Sequence, residues 1–247
     1  MREGEPKEDI DFEKALNPEK MEISGGKLLE LFESGNFLEA LDVAATETQK
    51  SELETGFMLK VLQDGSPYIF GVIKGNESSA NVYGYSYDSE STIKEIDGRE
   101  KEAERKASLM TLHFHPSGMG PIIPSIPDLH QVESVAPGLS FPFMAVGHAR
   151  EAGNVDLLLV RRDKNYKAKE VLGDSENYHN QIKEMGFIPG EDNIGKSQED
   201  IQKALSDNGF ESFLVSFGRE GEELKMGKKS EKIVAGIKGV EAPILKW

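Results

Sequence analysis

The chain has 247 residues, 37% hydrophobic and 30% charged, which suits one large globular domain or a domain with an appended module. Its 44 acidic residues against 29 basic ones give a formal charge of −15, which opposes general binding to nucleic acid phosphates; it reads first as a solubilising surface and would favour, at long range, a basic protein partner. There are no cysteines, so disulfides, Cys-based zinc knuckles and thiol nucleophiles are excluded, and any zinc must be held by His, Asp or Glu.

No apolar run approaches the roughly 18 residues of a membrane span, and the N-terminus lacks the apolar stretch of a secretory signal. Together with the lack of cysteine this predicts a cytoplasmic protein. Residues 1–22 are charged and almost without apolar periodicity, which predicts a mobile acidic tail. Leu28, Leu29, Leu31 and Phe32, then Phe37, Leu38, Leu41 and Val43, have helical spacing, and Ser34-Gly35-Asn36 divides them into two short helices. Residues 57–62 read as a strand, Asp64-Gly65 as a turn, and 68–73 as the returning strand of a hairpin. Residues 81–87 suit a third strand. Residues 97–107 are strongly charged, either a solvated helix or a loop. Residues 108–115 form a strand running into a His-rich motif, 126–135 a short helix, and 141–147 and 155–161 two further strands.

Strands in this number with helices between them predict an α/β or α+β domain over 23–172. Residues 173–247 have a pattern of their own, with helices at 178–185 and 197–205 and strands at 210–217 and 233–237. They read as a small α/β C-terminal extension of unassigned role.

The motif is His113-Phe114-His115-Pro116-Ser117-Gly118, followed by Ser125-Ile126-Pro127-Asp128. Alternate strand residues share a face, so His113 and His115 point together, with Cα atoms roughly 6.5 Å apart, while Phe114 points into the core. Pro116 ends the ladder, and Gly118 and Gly120 permit a sharp return that brings Asp128 back as a third ligand. Three protein ligands plus a water is the form of a catalytic zinc site. Ser125-x-x-Asp128 also fits a helix N-terminus, Ser125 capping and Asp128 facing the positive end of the dipole. The two readings are compatible, because a helix start can hold the carboxylate rigidly.

This pattern resembles the JAMM (MPN+) motif, His-x-His-Pro followed by Ser-x-x-Asp, of zinc isopeptidases and deubiquitinases, over roughly residues 25–172. The resemblance implies a JAMM/MPN-like (cytidine-deaminase-like) mixed central sheet flanked by helices. It implies Zn2+ held by His113, His115 and Asp128, with Ser125 assisting the tetrahedral intermediate. It also implies a general-base glutamate at the start of the first strand. The family commonly shows Glu-x-x-Gly there; here Glu54 lies two residues before Gly56 and Glu52 four before it. Strand parity would put both on one side, and Glu54 is preferred because it abuts the apolar run. Two other departures are the large Phe114 and a longer segment between Pro116 and Ser125, in which 119–123 could bulge over the cleft. His130 is expected on the surface or behind the ligands, and His148 and His179 have no motif around them.

The expectation is therefore a zinc-dependent metallopeptidase or isopeptidase acting on a protein or peptide, ubiquitin-like conjugates included, with homodimer formation left open. The alternatives are a non-catalytic MPN-type scaffold and a zinc amidohydrolase for small substrates. No nucleic acid and no membrane partner is expected, and no nucleotide, zincin or serine-hydrolase signature is present.

Overall fold

The computed structural model describes residues 19–75, 91–98, 100–101, 104–116, 120–133, 141–165, 173–187, 193 and 195–245. In chain order the strands are β1 (Lys20–Ile23), β2 (Thr55–Leu62), β3 (Pro67–Tyr68), β4 (Gly71–Lys74), β5 (Thr92–Glu95), β6 (Lys106–Phe114), β7 (Phe143–Ala149), β8 (Val155–Arg162), β9 (Phe210–Glu220), β10 (Glu223–Met226) and β11 (Val240–Leu245). The helices are α1 (Gly25–Phe32), α2 (Gly35–Ser51), α3 (Ile126–Glu133), α4 (Asp174–Glu184), α5 (Gln198–Asp207) and α6 (Lys228–Gly236). The result is a mixed α/β fold, with six helices among the described residues around one open 11-stranded sheet.

The sheet runs β10-β9-β8-β7-β6-β2-β4-β5, with β3 on β2 and β11 joining β1 to the start of β6. The β6–β7 pair is parallel and the others are antiparallel. Every residue of β6 is buried, as expected of a strand paired on both edges and covered on both faces.

Each face of the sheet has its own core. On one, Phe57, Leu112, Phe114, Ala145 and Leu157 pack against α1, α2 and α6. On the other, Met144, Val146, Leu158 and Val160 pack against α3, α4 and α5. The period-2 alternation of β7 and β8 accounts for the division. Helix α2 buries Phe37, Ala40, Leu41, Ala44, Ala45 and Thr48, one stripe at i, i+3, i+4 spacing, and Ser34 Oγ caps it by accepting from Phe37 N at 3.3 Å.

Several elements differ from the sequence reading. Lys20–Ile23, assigned to the tail, is a strand, because its backbone pairs with β11. Helix α2 is long, with 17 residues. The expected returning strand is split into β3 and β4: Ile69 N donates to Asp97 Oδ2 at 2.7 Å and Phe70 O accepts from Ile96 N, so this stretch bonds away from β2. Residues 233–237 lie mainly in helix α6, where Ser230 and Val234 are buried at i, i+4. The expected strand at 81–87 lies outside the described residues. The C-terminal residues build onto the same sheet, β9 on β8 and β11 on β6.

Candidate metal centre

Strands β2, β6 and β7 carry the site on the face covered by α3. His113 is opposite Gly56 in the β2–β6 register, so its cross-strand neighbour sets no side chain against the imidazole. Phe114 points the other way and is fully buried, as expected, and its ring packs so closely on Gly147 that an added Cβ there would stand 2.6 Å away. The ladder ends at Phe114, and His115 keeps one more bond, donating from N to Gly147 O at 3.2 Å.

Helix α3 supplies the other side. Ser125 and Asp128 cap each other: Asp128 N donates to Ser125 Oγ at 3.3 Å, and Ser125 N donates to Asp128 Oδ2 at 2.7 Å. This leaves Oδ1 facing His113 Nε2 at 3.2 Å. The capping and ligand readings of Ser-x-x-Asp therefore coexist in one conformation. One turn along, Gln131 accepts from the Thr111 hydroxyl, a second rung between α3 and β6.

The stretch leading into α3 is held by the C-terminal part of the chain and by Arg150. Gly120 has φ +91, and an added Cβ would stand 3.0 Å from Asn193 O. Arg150 Nη1 donates to Gly120 O at 3.0 Å. Gln198 takes both main-chain groups of Ile122, accepting from N at 2.6 Å and donating to O at 3.2 Å. Ile122 and Ile123 are buried in the second core, so this part of the longer segment packs inward and does not bulge over the cleft; Ser117–Met119 lie outside the described residues. Ser175, at the start of α4, donates from N and Oγ to Glu133 at the end of α3.

His113, His115 and Asp128 form a group whose ligand atoms all lie within 4.8 Å of one another and can hold a metal ion. The two Nε2 atoms are 3.1 Å apart, and His115 Nε2 is 3.9 Å from Asp128 Oδ2. In a tetrahedral zinc shell with bonds of about 2.0–2.1 Å, neighbouring ligand atoms are about 3.3 Å apart, so the donor set and its spacing fit. Protonation fits as well. Although burial raises it, the Asp128 carboxyl is held well below the usual carboxylate range by the charge and hydrogen bond of His113, by His115 and by the Ser125 N–H. Burial and the charge of His113 push His115 down to about 4, so it is neutral near pH 7. For His113 burial opposes protonation, but the charge and hydrogen bond of Asp128, with the charge of Glu54, raise it.

The two candidate bases separate. Glu54 is buried just before β2, with Oε1 4.0 Å from His115 Nε2 and its backbone O accepting from Gly75 N. Glu52 is exposed. It is not on a strand at all but is the C-cap of α2 at φ 55, so strand parity does not extend to it. His130 is exposed, 3.7 Å from Glu133, as expected of a surface residue. His148, which had no motif, stands beside the group: it is buried in β7 with its ring centroid 6.3 Å from that of His115. Only the parallel pairing of β7 with β6 could have revealed it. Comparison with protein-family models, curated proteins and solved structures gave no match.

Proposed function

We propose that the chain is a JAMM/MPN-like zinc metallopeptidase that hydrolyses a peptide or isopeptide bond in a protein substrate, conjugates of ubiquitin-like proteins being the class to test first. The observation that carries this reading is the convergence of His113, His115 and Asp128 from a strand end and a helix start, with a buried carboxylate, Glu54, beside them. A zinc ion in that group supplies a Lewis acid for the scissile carbonyl and a water acidified to a pKa of about 7.

The chain's own residues do the rest. His115 and Asp128 are held in the deprotonated forms a cation needs. Glu54 takes the proton of the attacking water and returns it to the leaving amine. Ser125 uses an oxygen lone pair to cap Asp128, so its own hydroxyl hydrogen remains available to the developing oxyanion. Gly56, facing His113 across the β2–β6 pair, adds no side chain of its own between them.

The test is metal analysis of the purified chain with a cleavage assay on ubiquitin-like fusions and on small amides. The expected result is close to one zinc per chain. Glu54→Gln keeps the metal and loses about 10²–10⁴-fold in kcat, while Glu52→Gln matches the wild type. A folded chain without affinity for zinc would favour the scaffold reading. Cleavage of small amides alone would favour the amidohydrolase.

A further inference from the structure

Three neighbouring strand ends bring polar side chains to one face at one level. Glu54 precedes β2, His115 follows β6 and His148 lies near the end of β7. In the parallel register Phe114 stands beside Gly147, so the next pair is His115 with His148. The metal group is therefore flanked on its β2 side by a carboxylate, 4.0 Å from His115, and on its β7 side by an imidazole whose centroid is 6.3 Å from that of His115.

Packing does not account for His148. The residue is 4% exposed, and its Nδ1 is fully buried without a hydrogen-bond partner among the described residues. An unpaired buried polar atom is destabilising, and Val146, two residues earlier on the same face, shows what a plain core position takes there. The cross-strand neighbour Asp156 accepts from Arg150 Nε at 3.0 Å. A neutral imidazole carries one proton. A bare buried acceptor is better tolerated than a bare buried N–H, which leaves Nδ1 unprotonated and makes Nε2 the donor.

We propose that His148 is a substrate-binding residue whose Nε2–H donates to a carbonyl oxygen of the substrate on the flank of the metal group opposite Glu54. The inference rests on the metallopeptidase reading and adds a direction to it. A chain lying across the strand ends meets the base on the β2 side and a hydrogen-bond donor on the β7 side.

The experiment uses the full chain loaded with cobalt(II), whose visible spectrum reports both metal binding and the arrival of a ligand, and acetohydroxamate as the probe. His148→Ala and His148→Phe are expected to bind cobalt within about twofold of the wild type but acetohydroxamate about tenfold more weakly, the value of one hydrogen bond. His148→Gln, whose amide nitrogen reaches about as far as the imidazole Nε2, is expected to restore most of the affinity. Unchanged acetohydroxamate affinity in both the Ala and Phe variants overturns the assignment. So does a fall in cobalt affinity that accounts for the whole loss, which would make the residue a ligand or a structural support. A wild-type chain that takes up no cobalt overturns the metallopeptidase reading itself, and this inference with it.

Discussion

His113 and His115 are carried by a strand paired on both edges and buried along its whole length. Asp128 is carried by the first turn of an eight-residue helix, reached through a stretch whose main chain is held by the side chains of Gln198, from the C-terminal part, and of Arg150, which follows β7. The strand half is fixed by a ladder that no single side chain controls. The helix half is fixed by a few discrete hydrogen bonds, each of which a point mutation can remove. The two halves should therefore fail differently: the strand half by losing a ligand, the helix half also by losing position.

The largest effect tests this contrast directly. His113→Ala and Asp128→Ala should each weaken zinc binding by more than the roughly 10–100-fold that follows the loss of a residue behind the ligands. Asp128→Ala carries a second cost, because Ser125 N loses its acceptor and α3 loses half of its capping pair, worth about 0.5–2 kcal/mol. Asp128→Asn keeps an oxygen for that bond. Thermal unfolding of the zinc-free proteins should thus place Asp128→Ala below Asp128→Asn. Equal midpoints would mean that the helix half does not depend on its cap.

Acid should act on the strand half first. His115 is held down to about 4 and His148 to about 3, against an ordinary 6.5. Between about pH 6.5 and those values the unfolded chain takes up protons that the folded chain refuses. The stability these residues contribute is present above pH 6.5 and lost as the pH falls; for His115 alone the shift corresponds to roughly 3 kcal/mol. His113, raised, opposes this: its contribution is present at acid pH and lost as the pH rises through its folded value. Asp128, lowered, holds its contribution until the pH drops below the ordinary carboxylate range. Two depressed imidazoles against one raised give a net loss from pH 7.5 to 4.5, measurable by urea unfolding of the zinc-free chain. His148→Phe should flatten that loss. An unchanged slope would show that His148 has no part in the acid response.

The same contrast explains what could be read from the sequence. His113, His115 and Asp128 were legible because their grouping depends on local rules: strand parity, a Pro stop and a helix start. Glu54 was legible as the preferred of two candidates, because it abuts the apolar run, but the physical reason that separates it from Glu52 was not. Helix α2 runs on to Ser51, which makes Glu52 a left-handed cap residue, and no spacing rule shows where a helix lets go. His148 was illegible because its place depends on which strand pairs with β6. The apolar run 233–237 misled because a helix that buries one stripe against a sheet can carry the same Ile and Val residues as a strand. The hold of the C-terminal part on Ile122 was illegible for the same reason as His148: Gln198 looks like any first-turn glutamine until the fold brings the two together.

Gln198 gives the smallest expected effect and the sharpest test of the comparison, because it lies outside the metal group and acts only on its helix half. Its side chain pairs both polar groups of Ile122, three residues before the Ser125 cap. Gln198→Ala leaves the buried Ile122 N–H and C=O without these partners, an expected loss of about 1–3 kcal/mol in local order. The displacement passes through Ser125 to Asp128, so zinc affinity should fall about tenfold, at the low end for residues that orient ligands. Gln198→Glu can still accept from Ile122 N but cannot donate to Ile122 O, so it should fall between Ala and wild type. Competition for zinc with a chromophoric chelator measures all three. Neither variant touches β6, so hydrogen exchange of the β6 backbone should be unmoved. A Gln198→Ala protein that holds zinc as tightly as the wild type would show that the Thr111–Gln131 and Ser175–Glu133 contacts suffice to hold α3, and that the helix half is as firmly fixed as the strand half.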